Sequence, residues 1–166
     1  MARLIDVLTI ILRCATGLSF MVMIFAVVIQ LLGRSGVIPS IIWTEELSRF
    51  ALIWLTALGV GLGLRSGDLV NVDLICEALP GRAPWVLRLV AAAITAAFCF
   101  VLIPGALLYT SIGVRQTAPA LGIHMNWIYM ATVAAFATLG SLAALRAIAM
   151  LMGVENGLPN RPEEVL

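Results

Sequence analysis

Trp43-Thr44-Glu45-Glu46-Leu47-Ser48-Arg49-Phe50-Ala51-Leu52-Ile53-Trp54-Leu55-Thr56-Ala57-Leu58-Gly59-Val60-Gly61-Leu62-Gly63-Leu64 places all its charges in its first two turns and none in the apolar run that follows. Arg65 closes it. At about 1.5 Å per residue this stretch rises about 33 Å as a helix, against a bilayer hydrocarbon core about 30 Å thick. It therefore reads as a helix that enters a membrane at its charged end and leaves at Arg65. Three further apolar runs lie to either side. The first covers about 8–32 and tolerates Arg13 near its start, the third covers about 87–114, and the fourth covers about 126–152 with Arg146 in its last turns. Pro104 is expected to kink the third. A signal peptide competes for the first run, but its apolar region is about 7–15 residues long and ends at small residues. Here the run continues to Gln30-Leu31-Leu32-Gly33-Arg34. The sequence thus predicts an all-α integral membrane protein, a single membrane domain over 1–166 with four transmembrane helices and a polar tail at 153–166.

Composition agrees. Of 166 residues, 62% are apolar and 11% charged, with a mean hydropathy of +1.09. A soluble domain is nearer about 45–50% apolar and about 25% charged, so a water-soluble globule is excluded. The net charge of +1 lacks the concentrated basic patch that nucleic acid requires. Cys14, Cys76 and Cys99 are scattered among apolar residues and offer neither a disulfide framework nor a C-x-x-C pair. All ten basic residues are Arg. Arg3, Arg13, Arg65, Arg82, Arg88, Arg146 and Arg161 fall on one side of the membrane, and Arg34, Arg49 and Arg115 on the other. That excess places both termini in the cytoplasm by the positive-inside rule. Trp43, Trp85 and Trp127 stand at segment starts, at headgroup level. Between the second and third spans, Leu69, Val72, Ile75, Cys76 and Leu79 recur at helical spacing before Pro80-Gly81. This spacing predicts a short amphipathic helix in the interface, with an irregular solvated loop as the competing reading.

Reactive chemistry is sparse. His124 is the one histidine, so a single chain cannot offer paired imidazoles to a haem or metal. Hydrolase and metalloprotease motifs are missing, and the span centres carry no charge of the kind that marks an ion-coupled carrier. No catalytic residue, cofactor-binding residue or metal ligand is assigned, and no cofactor is expected. A small autonomous four-helix transporter is the rival function, and a membrane enzyme subunit a more distant one.

The single polar constellation is Glu45, Glu46 and Arg49. Arg49 is four residues from one carboxylate and three from the other, so its guanidinium can reach either on a helix. It lies about 9 Å in from Trp43, at the hydrocarbon boundary. A snorkelling cap that fixes helix depth and an ion network that holds the helix against a neighbour are both open. Two glutamates exceed what one arginine neutralises, so a second partner is expected, either Arg34 or a residue of another subunit. Gly59-x-x-x-Gly63 and Ala57-x-x-x-Gly61 place small residues where another helix can approach, within this unit or on a partner.

Arg34, then Trp43-x-Glu45-Glu46-Leu47-x-Arg49, a span ending in Gly59 to Gly63, Arg65-x-Gly67, Val72-Asp73, Leu79-Pro80 and the later Ala120-Leu121-Gly122-Ile123 together resemble the small membrane subunit of tripartite ATP-independent periplasmic (TRAP) transporters, the DctQ-like proteins. The chain departs from the family pattern at Asp68 and His124, where His and Pro are common. The resemblance implies a bacterial inner-membrane protein that scaffolds a large permease subunit, which holds the sodium and substrate sites. A periplasmic substrate-binding protein would deliver an organic acid: a dicarboxylate, keto acid or sugar acid. It also implies membrane lipids as surroundings, an interface or structural role for Trp43, Glu45, Glu46, Arg49, Gly59, Gly63 and Arg65, and a binding-protein contact at Arg34.

Overall fold

A computed structural model describes residues 2–36, 38–39, 41–66 and 83–153. The amphipathic stretch at 69–79 and the tail beyond Gly153 lie outside the described residues. Four helices account for nearly everything described: α1 (Ala2–Arg34), α2 (Trp43–Ser66), α3 (Ala83–Gly113) and α4 (Asn126–Leu151). Each is long and apolar enough to cross a membrane. Among the described residues the only β feature is an isolated antiparallel bridge between Thr117 and His124.

Local chemistry sets the helix ends. Thr44 is fully buried, and its hydroxyl donates to the Ile41 carbonyl at 2.7 Å, fixing the entry to α2. Glu45 and Glu46 in the first turn face the positive end of the helix dipole. Pro84 stands at the start of α3, where a missing N–H costs nothing. Pro104 sits inside α3, and the helix continues unbroken from Ala83 to Gly113 around it. After α1 the chain turns at Gly36, whose φ of 79° is unfavourable for a side-chain-bearing residue.

The helices form a row. α1 packs on α2, α2 on α4, and α4 on α3, so α1 and α3 are the outer members. The contacts that hold the row are made by small residues, which let backbones approach in a medium where burial of apolar groups gives no drive of its own. The α3 face toward α4 is Ala92, Ala96, Cys99, Ala106 and Gly113. A Cβ added at Gly140 of α4 would stand 2.9 Å from the Cys99 Cβ. On the α2 side, a Cβ at Gly61 would meet the Thr138 Cβ at 3.2 Å and the Leu142 Cδ1 at 3.1 Å. The Thr138 hydroxyl reaches the Ala57 carbonyl of α2 at 3.3 Å.

The outside of the row is apolar. Leu18, Met21, Val101 and Leu108 are each about two-thirds or more exposed. So broad an uncovered apolar surface belongs in lipid or against another membrane protein. Charged residues mark its limits. From Arg13 to Arg34 α1 rises about 31 Å, and from Glu46 to Arg65 α2 rises about 28 Å, close to the thickness of a hydrocarbon core.

Candidate functional site

Among the described residues, the connection between α3 and α4 is the most elaborated part outside the spans. It folds back as a narrow loop. Met125 N–H donates to the Gln116 carbonyl at 2.9 Å and Ala118 N–H to the Ile123 carbonyl at 2.8 Å. Gly122 N–H donates to the Ala118 carbonyl at 2.8 Å. Gly122 has φ 68°, which closes the turn without a side-chain clash. Ala118 is 1% exposed and forms a small core with Phe50 of α2 and Ile128 of α4, flanked by Ile53, Leu121 and Met125.

At the tip of this loop the Ala120 and Leu121 amides point at α2. Both donate to Glu46 Oε2, at 3.0 and 2.8 Å. Two adjacent N–H groups converging on one carboxylate oxygen form an anion cradle, and here the anion is a side chain of the same protein. Hydrogen bonds to a charged acceptor are worth about 1.5–3 kcal/mol each when shielded, so Glu46 is a clamp between the first turn of α2 and a loop far away in sequence.

The two glutamates therefore divide their roles. Glu45 faces outward and approaches Arg49 at 3.8 Å, with side chains 59% and 67% exposed. Such a pair is worth at most about 1 kcal/mol. Within the chain, Glu46 Oε2 is satisfied by two backbone amides, not by Arg34. Trp43 is half-buried at the start of α2, while Arg34 is exposed at the end of α1, the same end of the row. Gly59 faces α1, where an added Cβ would lie 3.9 Å from the Thr16 methyl. The tight α2 approach is made instead at Gly61, one turn beyond Ala57. Arg65 lies in the last turn of α2, at the opposite end from the clamp.

Beside the clamp a cleft of about 590 Å³ opens between α2, α4 and the loop. Its lining joins the polar Glu46, Arg49 and Gln116 to the apolar Phe50, Ile53 and Ile128. On one wall the rings of Tyr109 and Tyr129 lie 4.2 Å apart, and the Tyr129 hydroxyl donates to Gln116 Oε1 at 2.8 Å. Sequence reading did not find the loop's part in this site. The available signal was Pro119 followed by Ala120-Leu121, a turn whose amides need an acceptor that no neighbouring side chain supplies.

Comparison with known proteins places this arrangement. A Haemophilus influenzae protein described as a TRAP transporter small permease is 26% identical over 124 residues, covering 75% of this chain and 77% of its own. A second such protein from the same organism is 28% identical over 116 residues, 70% of each chain. The isethionate TRAP transporter permease protein DctMQ of Oleidesulfovibrio alaskensis is 28% identical over 122 residues, 68% of this chain but 17% of that longer one. Residues 23–154 match the family described as tripartite ATP-independent periplasmic transporters, DctQ component. The match includes the clamp, the cleft, the last third of α1 and all of α2, α3 and α4, and the chain belongs to that family, as a transporter component rather than an enzyme.

Proposed function

We propose that this chain is the fixed, non-catalytic subunit that scaffolds a large permease subunit for sodium-coupled uptake of a small organic acid delivered by a periplasmic binding protein. The observation that carries the reading is the Oleidesulfovibrio relative, in which a segment similar to this chain makes up 17% of one long permease protein. A segment joined covalently to a permease is a natural structural companion of it. The row of helices suits that role, since its exposed apolar faces can lie against a larger membrane protein. The span centres of the chain carry no charge with which to bind an ion unaided. In this reading the chain sits in a bacterial inner membrane with both termini in the cytoplasm. Arg34, the clamped loop and Trp43 then face the periplasm. That substrate is a small organic acid anion is consistent with the isethionate named for one relative.

Arg34 is proposed as a contact for the binding protein. Arg34→Glu is expected to lower binding-protein-dependent uptake several-fold while leaving the amount of membrane complex unchanged. Uptake at the wild-type rate in that variant would remove Arg34 from the interface. The scaffold role itself is tested by co-purification of the proposed large permease partner, which is expected to be recovered with a tagged copy in equal amount. Recovery of this chain alone, active in transport, would establish an autonomous carrier instead.

A further inference from the structure

α3 is an outer member of the row, and the side it turns away from α4 is apolar and uncovered. Ile94, Phe98, Val101, Leu108 and Ile112 are each more than half exposed there, Val101 the most at 75%. With Gly105 they recur every three or four residues and form one stripe along the helix, opposite the small-residue face that meets α4. Pro104 and Gly105 interrupt this surface at its middle, and both are exposed.

Each interruption weakens a helix and goes unused within the described chain. Elsewhere in the row a glycine marks a close approach: an added Cβ would stand 3.1 Å from Leu142 at Gly61, 2.6 Å from Tyr129 at Gly113 and 2.9 Å from Cys99 at Gly140. At Gly105 an added Cβ would meet nothing within 4 Å, so a poor helix former leaves a notch that no described part of the chain fills. Pro104 has no N–H, and the Phe100 carbonyl one turn earlier thereby loses its helical donor. Phe100 is 49% exposed. Hydrocarbon has no donor for a freed carbonyl, whereas a neighbouring helix can supply one, and glycine lets a second backbone come close in a membrane. Together the two residues call for a protein helix rather than an acyl chain. Gly17 of α1 is equally open, but no proline adjoins it, and it lies outside the residues 23–154 that match the family. All of α3 lies inside that match, as a surface serving a role common to the family should.

We propose that the Pro104-Gly105 notch of α3 receives one helix of the large permease subunit, with a hydroxyl or amide side chain of that helix donating to the Phe100 carbonyl. The inference rests on the scaffold reading and adds to it the face through which the scaffold is joined.

The test is recovery of the permease with the tagged full-length chain, set beside thermal unfolding of that chain alone. Gly105→Leu has open space within the chain and replaces a poor helix former by a good one, so the chain alone should unfold no earlier than wild type. Recovery of the permease with it should nevertheless fall about fivefold, because the notch is filled. Pro104→Ala returns an N–H to the Phe100 carbonyl and should lower recovery about threefold, whereas Gly17→Leu should leave recovery unchanged. A photoreactive benzophenone side chain in place of Leu108 should crosslink to the permease, and one in place of Leu18 on α1 should not; this pair serves where Gly105→Leu fails to fold. No permease recovered with the wild-type chain would overturn the scaffold reading and the notch together. Recovery with wild type and equally with Gly105→Leu would overturn the notch alone. So would crosslinking from Leu108 to lipid or to a second copy of this chain, or crosslinking to the permease from Leu18 in its place.

Discussion

Glu46→Ala is expected to release the α3–α4 loop and lower the stability of the folded chain in detergent by about 2–4 kcal/mol, from two charge-assisted hydrogen bonds discounted for partial exposure. The signature is local as well as global. Ala120 and Leu121 amides lose their only acceptor and should exchange with solvent at least tenfold faster, a change visible by hydrogen exchange before any unfolding. Glu46→Gln keeps a carbonyl oxygen in place and should lose about half as much, since a neutral acceptor is weaker than a carboxylate. Glu45→Ala should cost no more than about 0.5 kcal/mol, because its contact with Arg49 is long and solvated. Equal effects at the two glutamates would mean that the adjacent carboxylates act as one ion network and that the division between clamp and exterior pair is wrong.

The second large effect is expected where helices touch through glycine. A Cβ on Gly113 would lie 2.7 Å from the Asn126 backbone nitrogen, 2.9 Å from its Cα and 2.6 Å from Tyr129 Cδ2. Two of these atoms are backbone and cannot rotate away. Gly113→Ala should therefore force α3 and α4 apart at the loop end and cost about 2–3 kcal/mol, disturbing the Tyr109–Tyr129 stack. Gly140→Ala meets the Cys99 Cβ at 2.9 Å and should cost a similar amount. Gly59→Ala is the contrast, because its nearest neighbour is a methyl at 3.9 Å, ordinary contact. Thermal unfolding of the three variants should order them with Gly59→Ala nearest wild type. A severe effect at Gly59 and none at Gly113 would contradict the packing order of the row.

That ordering also shows which parts of the structure were legible in the chain. Helix number and span limits follow from length, apolar runs and the placement of arginines, because a bilayer admits few other backbones. Which small residues pack against which helix does not follow. Gly59, Gly61 and Gly63 look alike in sequence, and Ala57 and Gly61 face α4 only because α4 lies on that side of α2 while Gly59 looks toward α1. In the same way, Glu46 and Glu45 differ by one position and about 100° around a helix. That rotation turns one toward two free amides and the other toward solvent. The amides come from a turn more than seventy residues away, and residue spacing within α2 carries no trace of them. Family resemblance did mark Ala120-Leu121-Gly122-Ile123 as part of a pattern, though not what the pattern holds.

In the proposed reading the chain is a scaffold for a large permease and does not move substrate unaided. Proteoliposomes test this most directly. They would hold this chain alone, the proposed large permease partner alone, or both, each with the proposed binding protein, its bound organic acid and an inward sodium gradient. Uptake is predicted only where both membrane proteins are present, and it should fall when Glu46→Ala replaces the wild-type chain. Uptake by this chain alone, or by the permease alone at the full rate, would contradict the account.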